Sequence, residues 1–143
     1  MTVTRTIAQY ITSSSSDQVP MPMIHESKRT LLNLVGISLS ASLSGPSRAV
    51  MAWVAAEQSK PVASIIGSSS KTSPANAALV NGYLAHLQDY DDTHFPTILH
   101  PTAPVWPAVL AVAEEVGASG RDTLASFALG AEIACRVALS IHP

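Results

Sequence analysis

The sixteen residues His86-Leu87-Gln88-Asp89-Tyr90-Asp91-Asp92-Thr93-His94-Phe95-Pro96-Thr97-Ile98-Leu99-His100-Pro101 join two apolar runs, and their conformation sets how the chain on either side is organised. The whole chain has ten Asp and Glu and five His, and this stretch holds three of the acids (Asp89, Asp91, Asp92) and three of the histidines (His86, His94, His100). Just upstream, Ser73 reads as an N-cap and Pro74 as a first-turn proline, which predicts a helix from Ala75 to Gln88 interrupted only by Gly82. If that helix persists, Gly82, His86, Asp89 and Thr93 recur at i, i+4, i+7 and i+11 on one stripe, while Leu79, Tyr83, Leu87 and Tyr90 form another. Gly82, with no side chain, would let a small molecule approach the polar stripe. Beyond Thr93, Pro96, Pro101, Pro104 and Pro107 forbid a continuous helix and predict a loop carrying His94 and His100. Thr102 is a plausible N-cap for the run Val105 to Val116. His100 would then stand beside a helix N-terminus, where free N–H groups favour an anion such as a substrate carboxylate.

Working outward, residues 1–23 read as an N-terminal helix (Val3 to Tyr10) and a linker through Ser13 to Ser16, ahead of a helical domain over residues 24–143. Pro20 and Pro22 suggest extended chain. A helix follows from Ile24 to Val35 through Ile24, Leu31, Leu34 and Val35. Ile37 to Leu43 alternates with period two and fits a strand, but Leu32, Leu39 and Leu43 continue a helical stripe, and the helix is favoured. Gly45-Pro46-Ser47 opens a further helix, Arg48 to Gln58, with apolar faces built from Ala49, Val50, Trp53, Val54 and Ala56. Residues 61–67 suit one short extended segment, and Ser68 to Lys71 a loop. Lys71 is within reach of an anion, although a solvated loop lysine is the plainer reading. Near the C-terminus, Val105 to Val116 and Thr123 to Leu139 read as apolar helices separated by Gly117 to Gly120, with Ser119 or Asp122 capping the second. Ala125, Ala128, Ala131, Ala134 and Ala138 allow close helix approach, Glu132 and Arg136 fit an i, i+4 ion pair, and Cys135 reads as a small apolar residue.

A chain of 143 residues with 47% hydrophobic composition supports one domain with a modest core. Charged residues make up only 13%, well under the usual ~25%, and mean hydropathy is +0.26. Apolar surface is therefore left for a partner to cover, either a second copy in a homodimer or the rest of a longer polypeptide. A net charge of −2 and scattered Lys and Arg carry no basic footprint for nucleic acid. One cysteine allows no internal disulfide. No uninterrupted apolar run reaches the ~18 residues of a membrane span; the longest, Ala103 to Ala113, contains Pro104 and Pro107. These features predict a soluble protein with no membrane partner. The compartment expected is cytoplasmic, with a mitochondrial location as the alternative because Met1 to Ser16 faintly resembles a transit peptide.

Asn81-Gly82, His86, Asp89-Tyr90-Asp91-Asp92-Thr93 and His100-Pro101 resemble the signature of the MmgE/PrpD family. The resemblance runs from about Ile24 through Arg136, including Leu31-Leu32-Asn33, Gly36 and Gly130-Ala131-Glu132. It implies an all-α helical bundle, the N-terminal part of that family's large helical domain without its α+β lid. It also implies a lyase-type activity on a small di- or tricarboxylic acid, dehydration or decarboxylation of the 2-methylcitrate or cis-aconitate type, with epimerase chemistry as a family alternative. Carried over residue by residue, Asp89 matches the family's active-site aspartate, Thr93 its nearby threonine and His100 the histidine of its His-Pro motif. His86, His94 and Lys71 are further substrate-binding candidates. Asn33 departs from the pattern, standing where an aspartate is common. The resemblance implies no cofactor and no metal, although His86, Asp89 and His94 or His100 would form a two-histidine, one-carboxylate set. The reading from a different class is a non-catalytic truncated helical fragment or dimerisation module, and the isolated chain is expected to be inactive because the family's later lysines and histidines are not in it.

Overall fold

A computed structural model of the chain describes residues 2–141. Six helices succeed one another: α1 (Val3–Ser13), then a 3-10 turn (Ser16–Gln18), α2 (Met21–Ser42), α3 (Ser47–Glu57), α4 (Pro74–His86), α5 (Thr102–Val116) and α6 (Gly120–Ile141). Between α3 and α4 lie two strands, β1 (Ala63–Ser64) and β2 (Lys71–Thr72). The all-α expectation holds.

Trp106 of α5 is the centre of the main core, fully buried with Leu34, Ile37, Ala85, Ala103 and Phe127. Its ring stacks on Phe127 of α6 at 4.2 Å and 5°. Its Nε1–H donates to Thr30 Oγ1 of α2 at 2.9 Å, so the indole's one polar atom is satisfied inside the apolar cluster. α4 packs along α5, and α2 lies against α4, α5 and α6. The α4–α5 approach is close because Gly82 faces α5: a Cβ there would come 3.3 Å from the Ala103 carbonyl oxygen. The space expected for a small molecule at Gly82 is thus occupied by the neighbouring helix. Gly130 plays the same part between α6 and α5, where a Cβ would meet Val105 Cγ1 at 2.8 Å.

α2 corrects two details. Pro20 caps it and Pro22 sits in its first turn, where a missing N–H costs nothing, so these prolines start the helix instead of extending the chain. The segment ambiguous between strand and helix is helical as far as Ser42, but the buried face of α2 is Ile24, Ser27, Leu34, Ile37, Ser38 and Ala41, while Leu32, Leu39 and the capping Leu43 are exposed. Ser27, Ser38 and Ala41 share that interior face with Ile24, Leu34 and Ile37, so small residues sit among large ones on it.

The single extended segment expected near 61–67 has a partner. β1 and β2 pair antiparallel, Ala63 opposite Thr72 and Ser64 opposite Lys71. Two residues are too few to show a pattern, and the ribbon is held from outside. Asn81 of α4, itself buried, accepts from Ile66 N–H (2.9 Å) and donates to the Ser64 carbonyl (3.0 Å).

α6 is 22 residues long and, by length and composition, apolar enough to cross a membrane, which the search for an uninterrupted run missed. In this fold it packs on α2 and α5 through Ala125, Phe127 and Ala128. Glu132 and Arg136 form the expected ion pair on its outer face.

Candidate active site

α4 starts as its sequence dictates, Ser73 Oγ accepting from Asn76 N–H with Pro74 in the first turn. It stops at His86, earlier than the periodicity suggested. Asp89 then adopts a left-handed conformation (φ 56°), which aspartate tolerates better than most residues, and the chain reverses. The stripe joining His86 to Asp89 and Thr93 through a continuous helix therefore does not form. The turn instead carries the chain so that Asp91, five residues past His86, comes under the imidazole.

Asp91 is the hub of what results. Its side chain is 0% exposed. His86 Nδ1 lies 2.9 Å from Asp91 Oδ1 and 3.2 Å from Oδ2. His100 Nδ1 approaches Oδ2 at 3.4 Å, an ionic contact too poorly aligned to be a hydrogen bond as it stands. The two imidazoles meet edge to face, with centroids 4.9 Å apart and planes at 66°. Asp89, 75% exposed, reaches toward the same His86 Nδ1 from the solvent side at 3.9 Å. The His86 ring is held above its ordinary pKa chiefly by the hydrogen bond to Asp91, with partial burial opposing and the charges of Asp91 and Asp89 adding. Asp89 and His100, argued from sequence to share a site, are thus brought together, and the residue between them is Asp91. No local signal marks it, since its place depends on the left-handed turn at Asp89.

The remaining candidates fall elsewhere. Asp92 turns away and accepts from Thr102 N–H at 3.0 Å, capping α5 from across the loop. Thr102 lies inside the first turn of α5, fully buried, and is not its cap. The anion at that helix start is the protein's own Asp92. Thr93 is half-buried between Asp92 and His94. His94 is turned into its own loop: its N–H donates to the Leu99 carbonyl (2.7 Å), and its Nδ1 pairs with Thr97 Oγ1 (2.7 Å). Lys71 is committed to Glu114 of α5 (Nζ to Oε2, 2.9 Å), which also accepts from the Ser64 N–H and hydroxyl. Burial raises the Glu114 pKa, but Lys71 and Ser64 outweigh it and hold the carboxyl below its ordinary value. Cys135 is half-buried, and that burial, with the charges of Glu132 and Asp92, pushes its thiol pKa up, away from nucleophilic use.

For a cation, His86, Asp89, Asp91 and His100 each offer one atom, all within 4.8 Å of one another. A tetrahedral ion with bonds of about 2.0–2.1 Å needs its ligand atoms about 3.3 Å apart around a common centre. The 2.9 Å separation of His86 Nδ1 and Asp91 Oδ1 is shorter than that and is a hydrogen-bonding distance.

Residues 5–143 match the MmgE/PrpD N-terminal domain. The chain belongs to the MmgE/PrpD family. Among its relatives, human cis-aconitate decarboxylase is 34% identical over 125 residues, covering 80% of this chain and 25% of the relative. The mouse cis-aconitate decarboxylase is 28% identical over 94% of the chain and 28% of its own length. A cis-aconitate decarboxylase-like protein of Aspergillus oryzae is 24% identical over 98% of the chain and 30% of its own length. The MmgE/PrpD chain described here spans between a quarter and a third of the length of these curated relatives.

Proposed function

We propose that this MmgE/PrpD chain supplies the acid–base side of a lyase site for a small di- or tricarboxylic acid, of the cis-aconitate decarboxylase or 2-methylcitrate dehydratase type. The observation that carries the reading is the pair of imidazoles on one buried carboxylate, with a second carboxylate at the solvent edge. Decarboxylation breaks a carbon–carboxylate bond and leaves an electron pair delocalised into a remaining conjugated carboxylate, and an imidazolium then delivers a proton to carbon. Dehydration requires a base to take a proton α to a carboxylate while hydroxide departs. Histidine serves either step near neutral pH. In this reading His100 transfers a proton or holds a substrate carboxylate, His86 is a further substrate-binding group, Asp89 orients water or a ring, and Thr93 hydrogen-bonds substrate.

The charges limit what the chain does alone. Two imidazolium ions at most offset Asp89 and Asp91, and Lys71 is spent on Glu114. The cations needed to hold a polycarboxylate and stabilise the enolate-like charge must therefore come from outside this cluster. We expect the isolated chain to show no turnover of cis-aconitate or 2-methylcitrate. The direct test replaces the corresponding quarter of human cis-aconitate decarboxylase with residues 5–143. Turnover of cis-aconitate that falls at least a hundredfold in His100→Gln and in Asp89→Asn supports the reading, and a His100→Gln chimera with undiminished rate refutes it.

A homodimer is part of the same proposal. Leu32, Leu43, Trp53, Val116 and Ile141 are exposed on a chain with few charges, which favours association. Sedimentation at rising concentration should show a monomer–dimer equilibrium; a monomer at every concentration would leave those faces to another partner.

A further inference from the structure

We propose that Asp91 is the positioning residue of this site: its buried carboxylate takes the Nδ1 protons of His86 and His100 and fixes both rings as the tautomer whose Nε2 is free to meet substrate. The inference rests on the acid–base reading above and adds to it how the two bases are prepared.

An ionised carboxylate that is 0% exposed requires donors. The polar atoms at it are two ring nitrogens, His86 Nδ1 at 2.9 and 3.2 Å and His100 Nδ1 at 3.4 Å. Neutral imidazole carries one proton, and a carboxylate accepts only, so each ring that faces Asp91 through Nδ1 is selected as the Nδ1–H form. The lone pair then lies on Nε2, at the opposite side of each ring. The side-chain exposures agree: His86 is 54% and His100 25% exposed above a carboxylate that solvent does not reach. His100 Nδ1 is buried and has no other hydrogen-bond partner among the described residues, so a small turn of its ring toward Asp91 would complete the longer contact. The edge-to-face packing of the rings restrains both from swinging away. Asp89 divides the labour, lying at the rim and 3.9 Å from His86, where it meets water or substrate instead of setting a tautomer.

The test begins with the uniformly 15N-labelled chain and long-range proton–nitrogen correlation of its imidazoles at about pH 8, where histidine is mostly neutral. Nδ1–H tautomers for both His86 and His100 are expected. A dominant Nε2–H form at either in the wild-type chain overturns the proposal, whether or not any variant folds. In Asp91→Asn both rings should shift toward the Nε2–H form, with Asp91→Glu restoring part of the original pattern and His25 unchanged throughout. A folded Asp91→Asn chain with unaltered tautomers overturns it. In the decarboxylase chimera, Asp91→Asn should lower kcat by about a hundredfold with KM little changed, the behaviour of a group that orients a reacting side chain; an unchanged kcat overturns it. If the tautomers are as expected but His100→Gln leaves turnover intact, the lyase reading fails and the positioning stands. If the chimera works and the tautomers are wrong, the positioning fails alone.

Discussion

When the chain folds, His86 gains a hydrogen bond to Asp91 and the charges of Asp91 and Asp89 nearby, and these outweigh the partial burial that opposes its protonation. The folded state thus binds a proton there more tightly than the unfolded state. The stability this provides is fully present below the unfolded value of about 6.5 and is lost as pH rises through the higher folded value. Melting temperature should therefore fall as pH is taken from about 6 to 8, and His86→Gln should flatten that slope. The effect is small because the ring is 54% exposed and solvent screens its partners. Asp92 makes a second, independent contribution. Removing its carboxylate in Asp92→Ala leaves the Thr102 N–H uncapped and should cost about 1 kcal/mol in urea unfolding, with Asp92→Asn retaining most of the stability. The crowding of acids and histidines over His86 to His100 was legible as a candidate site because so few charges occur elsewhere. Which of three neighbouring aspartates does what was not, since one φ angle at Asp89 decides it.

Among the helices, the clearest constraint is the α5–α6 contact at Gly130. Alanine gains helix propensity of up to about 1 kcal/mol over glycine, but its Cβ would sit 2.8 Å from Val105 Cγ1, a branched side chain with little freedom to yield. Gly130→Ala should destabilise by about 1–3 kcal/mol. Pairing it with Val105→Ala should recover much of that loss, a coupling measurable in a double-mutant cycle. The loop after Thr93 holds the opposite opportunity. Ile98 sits in the left-handed region (φ 56°), costly for a β-branched residue. Ile98→Asn should raise stability by about 1 kcal/mol as read by chemical denaturation. Starts of elements were legible where a cap is local, as at Ser73-Pro74 for α4. Ends and buried faces were not: the exposed Leu32, Leu39 and Leu43 are as apolar as anything in α2, and only the approach of neighbouring helices selects Ser38 and Ala41 for the interior.

Across the whole molecule, Trp106 ties three helices together, through Phe127 on α6, Thr30 on α2 and its own position on α5. Trp106→Ala should cost about 3–5 kcal/mol, whereas Trp106→Phe, which keeps the stack and removes only the bond to Thr30, whose hydroxyl still donates to Ser27, should cost less; thermal unfolding of both separates packing from hydrogen bond. The same interior places α4 and α5 so that the His86 and His100 ends of the intervening segment meet over Asp91. Between them, the pairing of His94 with Leu99 closes the intervening residues into a small bulb whose Phe95 and Ile98 stand in solvent. Because the clamp lies at its neck, the bulb is free to lengthen or shorten over generations without moving the imidazoles, and a fluorophore or epitope spliced between Phe95 and Ile98 would ride beside the chemistry as a passenger.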